Sequence, residues 1–180
     1  MNRIGILGAA VLAAAALVSC GEPQRVLGSG TIGTNAEVGD VKLRNVFVEA
    51  PGGNGYRPGD DAVVRLALLS ASDEADALLG VSTGHASSVE LRSDKDCDGT
   101  AETVSRLPVP AADSGAEPGT PDLTYHLRIV DLTEEVQAGT TVPLTFTFDK
   151  AGEITVDAMV EATDDGDVPP APNCPTTSAS

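Results

Sequence analysis

The stretch "TVPLTFTFDKAGEITVDAMV", residues 141–160, constrains the fold most. Leu144, Phe146 and Phe148 alternate with polar residues, so one face of an extended strand is apolar. "DKAG" supplies a turn, and Ile154, Val156, Ala158 and Val160 repeat the alternation on the way back. This is the pattern of a β-hairpin with one buried face. The period of two recurs in "LTYHLRIVDL", where Tyr125, Leu127 and Ile129 alternate with Thr124, His126 and Arg128. "VKLRNVFVEA" alternates imperfectly, and "AVVRLALLSAS" is a strongly apolar strand. Further strands are predicted near Leu78–Val81, in "SSVELRS" and in "ETVSRLPVPA", with turn residues such as Pro58-Gly59 between runs. "DLTEEVQAGTTV" holds Leu132 and Val136 at helical spacing, but Gly139 and the β-branched residues around it favour a loop. About eight short strands and no convincing amphipathic helix predict an all-β fold, a single antiparallel β-sandwich with immunoglobulin-like layering.

Composition narrows what such a sandwich can do. Tryptophan is absent, and there are only two tyrosines and three phenylalanines. The core must be Val, Leu, Ile and Ala, and aromatic platforms for stacking sugars or bases are not expected. The formal net charge is −16. That excludes nucleic acid as a partner, because phosphates require Lys and Arg. It also argues against a chain that lies flat on anionic lipid.

The two ends of the chain read differently from its middle. Arg3, the apolar run "IGILGAAVLAAAALV" and then "LVSC" make a secretory signal over residues 1–19. "LVSC" resembles the bacterial lipobox, in which the peptidase cuts before the cysteine and the sulfur then carries a diacylglycerol. Cys20 is therefore the expected lipidation site, and the membrane is an expected partner. Each buried methylene contributes ~0.8 kcal/mol, so one acyl chain holds marginally and two or three hold firmly. Residues 20–40, rich in Gly, Ser, Thr and Asn, are expected to be a flexible tether. Residues 164–180 are acidic and then Pro-rich, the composition of an extended tail. One domain remains, residues 41–163.

Three cysteines occur. With Cys20 lipidated in an oxidising compartment, Cys97 and Cys174 are expected to pair, which would staple the tail to an acidic loop. Free thiols or an intermolecular bridge are the alternatives. That loop, "DKDCDGTAE", places Asp94, Asp96 and Asp98 at alternate positions before Gly99. Carboxylates at this spacing, with the Thr100 carbonyl and Glu102 following, are a candidate calcium loop. The residue at the twelfth position is Ser105, so the closing glutamate of an EF-hand is missing, and strands flank the loop where an EF-hand has helices. A solvated acidic turn is the plainer explanation of the same residues.

Tyr125-His126, "VPLTF" at 142–146, and Ala151-Gly152 with Ile154 and Val156 resemble the C-terminal half of the PCu(A)C copper chaperone family. "DALLGVSTGHASSVELR" resembles that family's strand leading to its first ligand, and the likeness runs over residues 44–161. The resemblance implies a cupredoxin-like sandwich that works outside the cytoplasm. It also implies a Cu(I) site built from a His, a later Met and a final His-x-Met pair, with thioethers as soft donors. Here the matching positions hold Arg92, Thr103 and His126-Leu127-Arg128. A guanidinium stays charged and is no ligand. Copper is accordingly not expected, unless His85, His126 and Met159 converge on a rebuilt site.

No nucleophile–base set is present. "GSGTIG" at 28–33 lacks the strand and helix that a phosphate loop needs, and two histidines show no zinc spacing. An enzyme is not expected. The sequence points to a lipid-anchored, non-enzymatic binding or interaction module, with an envelope protein as a candidate partner. The alternative is a copper metallochaperone with a rebuilt histidine site.

Overall fold

The structure is a computed structural model and describes residues 33–112 and 124–162. Among these it is all strand: β1 (Thr34–Val38), β2 (Val41–Val48), β3 (Gly55–Tyr56), β4 (Ala62–Ser70), β5 (Asp76–Ser82), β6 (Ala86–Ser93), β7 (Glu102–Val104), β8 (Leu107–Val109), β9 (Tyr125–Leu132), β10 (Val136–Gln137), β11 (Thr141–Phe148) and β12 (Glu153–Val160). The predicted hairpin forms as β11 and β12, with Leu144 opposite Val156 and Phe146 opposite Ile154. Its turn closes where Phe148 N–H donates to the Gly152 carbonyl at 2.8 Å. Gly152 sits at φ 90°, a conformation that a side chain would strain.

The strands run β7-β6-β9-β4-β2-β12-β11-β5-β8, with β1 paired beside β2 and a separate β3–β10 ribbon. The pairings are antiparallel except for β12 and β2, which meet in parallel through Met159–Phe47 and Val160–Val48. That short parallel junction joins the two halves of the sandwich around one core. Leu43, Val64, Leu127, Ile129, Leu144 and Phe146 are completely buried in it. Each such side chain contributes about 1.5–3 kcal/mol relative to exposure.

The imperfect alternation of "VKLRNVFVEA" has a physical cause. Asn45 adopts φ 53°, and the β2–β4 register shifts between Arg44 and Phe47. This bulge changes the phase of the strand. Val41 and Leu43 point inward before it, Val46 and Val48 point inward after it, and Phe47 joins the opposite face. Asn45 N–H donates to Asn35 Oδ1 at 2.8 Å, and Asn45 Oδ1 accepts from Gly33 N–H at 2.9 Å.

Those contacts correct one expectation. Residues 34–38, read from sequence as tether, form β1 and pair with β2. A second correction concerns "ETVSRLPVPA": it is not one strand but two, β7 against β6 and β8 against β5, at opposite ends of the strand order. The stretch "DLTEEVQAGTTV" is indeed not helical, and Val136–Gln137 pairs with Tyr56–Gly55. Cys20, Cys174 and the tail lie outside the described residues.

Candidate functional site

β9 places Tyr125, Leu127 and Ile129 in the core, which turns His126 and Arg128 to the outer face. The ladders decide what meets them there. Arg92 on β6 lies opposite His126, Thr103 on β7 lies opposite Arg92, and Glu90 lies opposite Arg128. On the other side, β4 pairs with β9 through Val63–Arg128 and Val64–Leu127. One residue further in that register sets Arg65 beside His126. Arg65 in turn pairs with Phe47, and Phe47 with Met159. One row thus crosses the outer face: Met159, Phe47, Arg65, His126, Arg92, Thr103.

Arg92 is braced along this row. Its Nη1 donates to Thr103 Oγ1 at 2.9 Å and to the Glu90 carboxylate at 3.3 Å, and its Nη2 donates to the Ala101 carbonyl. Its Nε is buried and has no hydrogen-bond partner among the described residues. Arg65 donates through Nε to Glu49 Oε1 at 2.6 Å. The Glu49 backbone carbonyl accepts from the Tyr56 hydroxyl at 2.8 Å. Burial, and then the Glu49 charge, pushes that phenol up to about 12. Arg128 donates to Asp61 Oδ2 at 2.5 Å. The Asp61 carboxyl is held below its ordinary value, first by the Asp131 N–H that it accepts and then by Arg128.

His126 is half-buried among these cations. Loss of solvent, then Arg65 and then Arg92, lower its pKa below 6.5, while Glu49 pulls weakly the other way. The imidazole is therefore neutral at pH 7, the form in which histidine binds metals and accepts hydrogen bonds. The residue positions that the sequence matched to a copper site, Arg92, Thr103, His126 and Arg128, are brought together on this face. Their chemistry is one neutral imidazole, one hydroxyl and two guanidiniums. As a metal donor set they supply His126 alone.

The structure does not gather the rebuilt set of His85, His126 and Met159. Met159 shares the row but lies three strands from His126, ~14 Å at the usual strand spacing. His85 precedes β6 at its far end, seven residues from Arg92, or ~23 Å at the rise of an extended strand. There its imidazole is paired with the Glu134 carboxylate, and its carbonyl accepts from Thr133 N–H at 2.9 Å.

The acidic loop is also divided. Asp94 is buried, and its carboxylate accepts from Gly99 N–H at 2.9 Å and Asp98 N–H at 3.2 Å. Asp98 in turn accepts from Thr100 N–H at 2.7 Å. Asp96, Asp98, Thr100 and Glu102 line a small cleft together with Lys95, and Asp94 is not part of its wall. Among the described residues no three His, Cys, Asp or Glu side chains converge as a metal site. Cys97, at φ 54°, is disulfide-bonded.

Sequence reasoning passed over Arg65, Glu49 and Phe47. Arg65 did carry a signal: it is the lone charged residue inside the apolar run "AVVRLALL".

Solved structures share this fold. "Copper-bound PCuAC domain from PmoF2" matches with a TM-score of 0.55 at 24% identity, covering 72% of this chain and 99% of that one. "Apo PCuAC domain from PmoF1" matches at 0.52 and 19% identity, covering 72% and 100%. "Solution structure of CuI-DR1885 from Deinococcus radiodurans" matches at 0.50 and 22% identity, covering 72% and 82%. The domain is thus a β-sandwich of the PCuAC type, as the sequence resemblance implied. The chain belongs to the LpqE-like family, whose model, described as "Putative lipoprotein LpqE-like", matches residues 41–160. No curated protein matches it. The expectation that copper is unlikely here is corrected by these neighbours, two of which are named as copper-loaded forms. It had rested on counting lost ligands.

Proposed function

We propose that this chain is a lipid-anchored, extracytoplasmic, non-enzymatic binding protein whose binding face is the outer row centred on His126. The observation that carries this is the register. Five strands deliver a neutral imidazole, three guanidiniums, the exposed Met159 and the largely buried Phe47 to one face. The anchor is supported by the "LVSC" sequence ending at Cys20 and by a family described as a lipoprotein. Acyl chains on Cys20 would hold the mature protein to the outer side of the membrane. Copper is the first cargo to test, because His126 is a donor in the right protonation state and the fold is shared with copper-loaded domains. Pairing of Cys97 with Cys174 belongs to the same reading.

Two measurements test the face. One is titration of the full chain with Cu(I) against a competing chelator. The other is recovery of envelope proteins from detergent-solubilised membranes. Each is run on the parent, His126→Ala, Arg65→Ala and His85→Ala. One-to-one Cu(I) binding lost in His126→Ala and retained in His85→Ala makes the face a metal-carrying one. A partner lost in Arg65→Ala makes it a protein-docking one. If both measurements are the same in all four proteins, the assignment of this face is wrong.

A further inference from the structure

Arg44 and Arg65 are both partly buried on outer strand faces, and their guanidiniums are treated differently. Arg44 Nη1 donates to the Ala36 and Leu43 carbonyls at 3.1 and 3.0 Å, and its Nη2 pairs with Glu37. Its terminal amino groups are therefore spent on the protein's own acceptors. Arg65 donates only through Nε, to Glu49 Oε1 at 2.6 Å. Among the described residues its two terminal amino groups have no acceptor. His126, next in the row, also has no hydrogen-bond or ion-pair partner among them. On its other side stands Arg92, whose buried Nε is left without an acceptor. A donor without an acceptor is unfavourable where water is excluded. The row thus carries N–H groups on both sides of the imidazole that the described protein does not satisfy.

The electrostatics point the same way. Beyond loss of solvent, the charges that act on His126 are Arg65, Arg92 and Arg128 against Glu49, and together they disfavour a proton on the ring. The imidazole stays neutral, with one N–H to donate, in a positive surrounding. Each arginine has a carboxylate partner, Glu49, Glu90 or Asp61, but the pairing at Arg65 engages Nε alone. Strand spacing sets Arg65 and Arg92 ~5 Å to either side of His126, so one small group can be reached from both. The two terminal amino groups of a guanidinium match two oxygens of a carboxylate or of a phosphate. The rest of the molecule limits the size of the ligand. A formal net charge of −16 repels a long polyanion, so this positive island suits one charged group.

We propose that the His126 face is an anion site, where Arg65 Nη1 and Nη2 and the His126 N–H bind the oxygens of a single carboxylate or phosphate group and Arg92 adds charge from the far side. This rests on the assignment of the His126 face and names the chemistry of what binds there.

The test follows both imidazoles of the full chain by NMR at pH 7 as sodium acetate or sodium phosphate is added, each against sodium chloride at equal ionic strength. The variants are Arg65→Gln, Arg65→Lys and Lys150→Gln. Lys150 lies in the β11–β12 turn, so its substitution removes one positive charge away from the row. The expected result is a saturable shift of His126 with at least one anion, while His85 does not move. Affinity should be ~tenfold or more weaker in Arg65→Gln and unchanged in Lys150→Gln. Arg65→Lys keeps the charge without the fork, should bind with intermediate strength, and keeps the test decisive if Arg65→Gln does not fold. Saturation by acetate alone assigns a carboxylate ligand, and by phosphate alone a phosphate. No response beyond the chloride control would overturn the site, as would a response weakened equally in Arg65→Gln and Lys150→Gln. If His126→Ala abolishes Cu(I) or partner binding while neither anion moves His126, the face stands and the anion site fails.

Discussion

Two charged regions of this molecule are built in opposite ways. The acidic loop at 94–102 is compact in sequence, yet its carboxylates part company. Asp94 turns inward to hold the backbone amides of Asp98 and Gly99, while Asp96, Asp98 and Glu102 face solvent. The His126 row is scattered in sequence over residues 47, 65, 92, 103, 126 and 159, yet the ladders align it. Close spacing of like residues produced a turn. Strand register produced a surface.

The largest expected effect tests the scaffold behind that surface. Leu127 is the inward neighbour of His126 and is fully buried. Leu127→Ala should cost ~2–5 kcal/mol in urea unfolding, since the cavity adds to the lost transfer energy. A smaller loss would mean that β9 is not held as described.

Asp94 comes next. Asp94→Ala leaves two backbone N–H groups without their acceptor and should cost ~1–3 kcal/mol. Asp96→Ala, on the solvent side of the same loop, should stay within ~0.5 kcal/mol. Equal costs from the same unfolding experiment would remove the distinction between the inward and outward carboxylates.

The row should show itself in a pH dependence. His126 faces Arg65 on β4 and Arg92 on β6, with Arg128 on its own strand and Glu49 beyond Arg65. Its folded pKa lies below 6.5, so the unfolded chain takes up the proton first. Stability from this group is complete above pH 6.5 and is lost as pH falls through the interval below it. Thermal midpoints measured from pH 7.5 down to 5 should fall less steeply in His126→Gln than in the parent. Identical slopes would place His126 in ordinary solvent.

The smallest effect is at the periphery. The Lys150–Glu74 pair is solvent-exposed at 3.1 Å, and Glu74→Gln should change stability by at most ~1 kcal/mol.

What could be read in advance follows from the same contrast. The β11–β12 hairpin was legible because alternation and a four-residue turn are local. The phase change at Asn45 was visible only as imperfect alternation, since nothing in "RNV" announces a positive φ. β1 was not legible, because "TNAEV" offers the core only Ala36 and Val38, both partly buried, and it is held as well by backbone pairing and by Asn35 on Asn45. The match of Arg92, Thr103, His126 and Arg128 to a ligand constellation came from a family resemblance, and the ladders place them on one face. Arg65 enters through a β4–β9 register that no short motif encodes. The convergence of His85 and Met159 on His126 required distant strand positions to coincide, and the register sets them apart.

The central claim is that register sets His126 between Arg65 and Arg92. It is tested most directly by NMR titration of the two imidazoles in the parent, Arg65→Gln and Arg92→Gln proteins. The predicted result is a His126 pKa below 6.5 in the parent that rises in each arginine variant, while the His85 titration does not move. A His126 that titrates at its ordinary value and ignores both substitutions would contradict it.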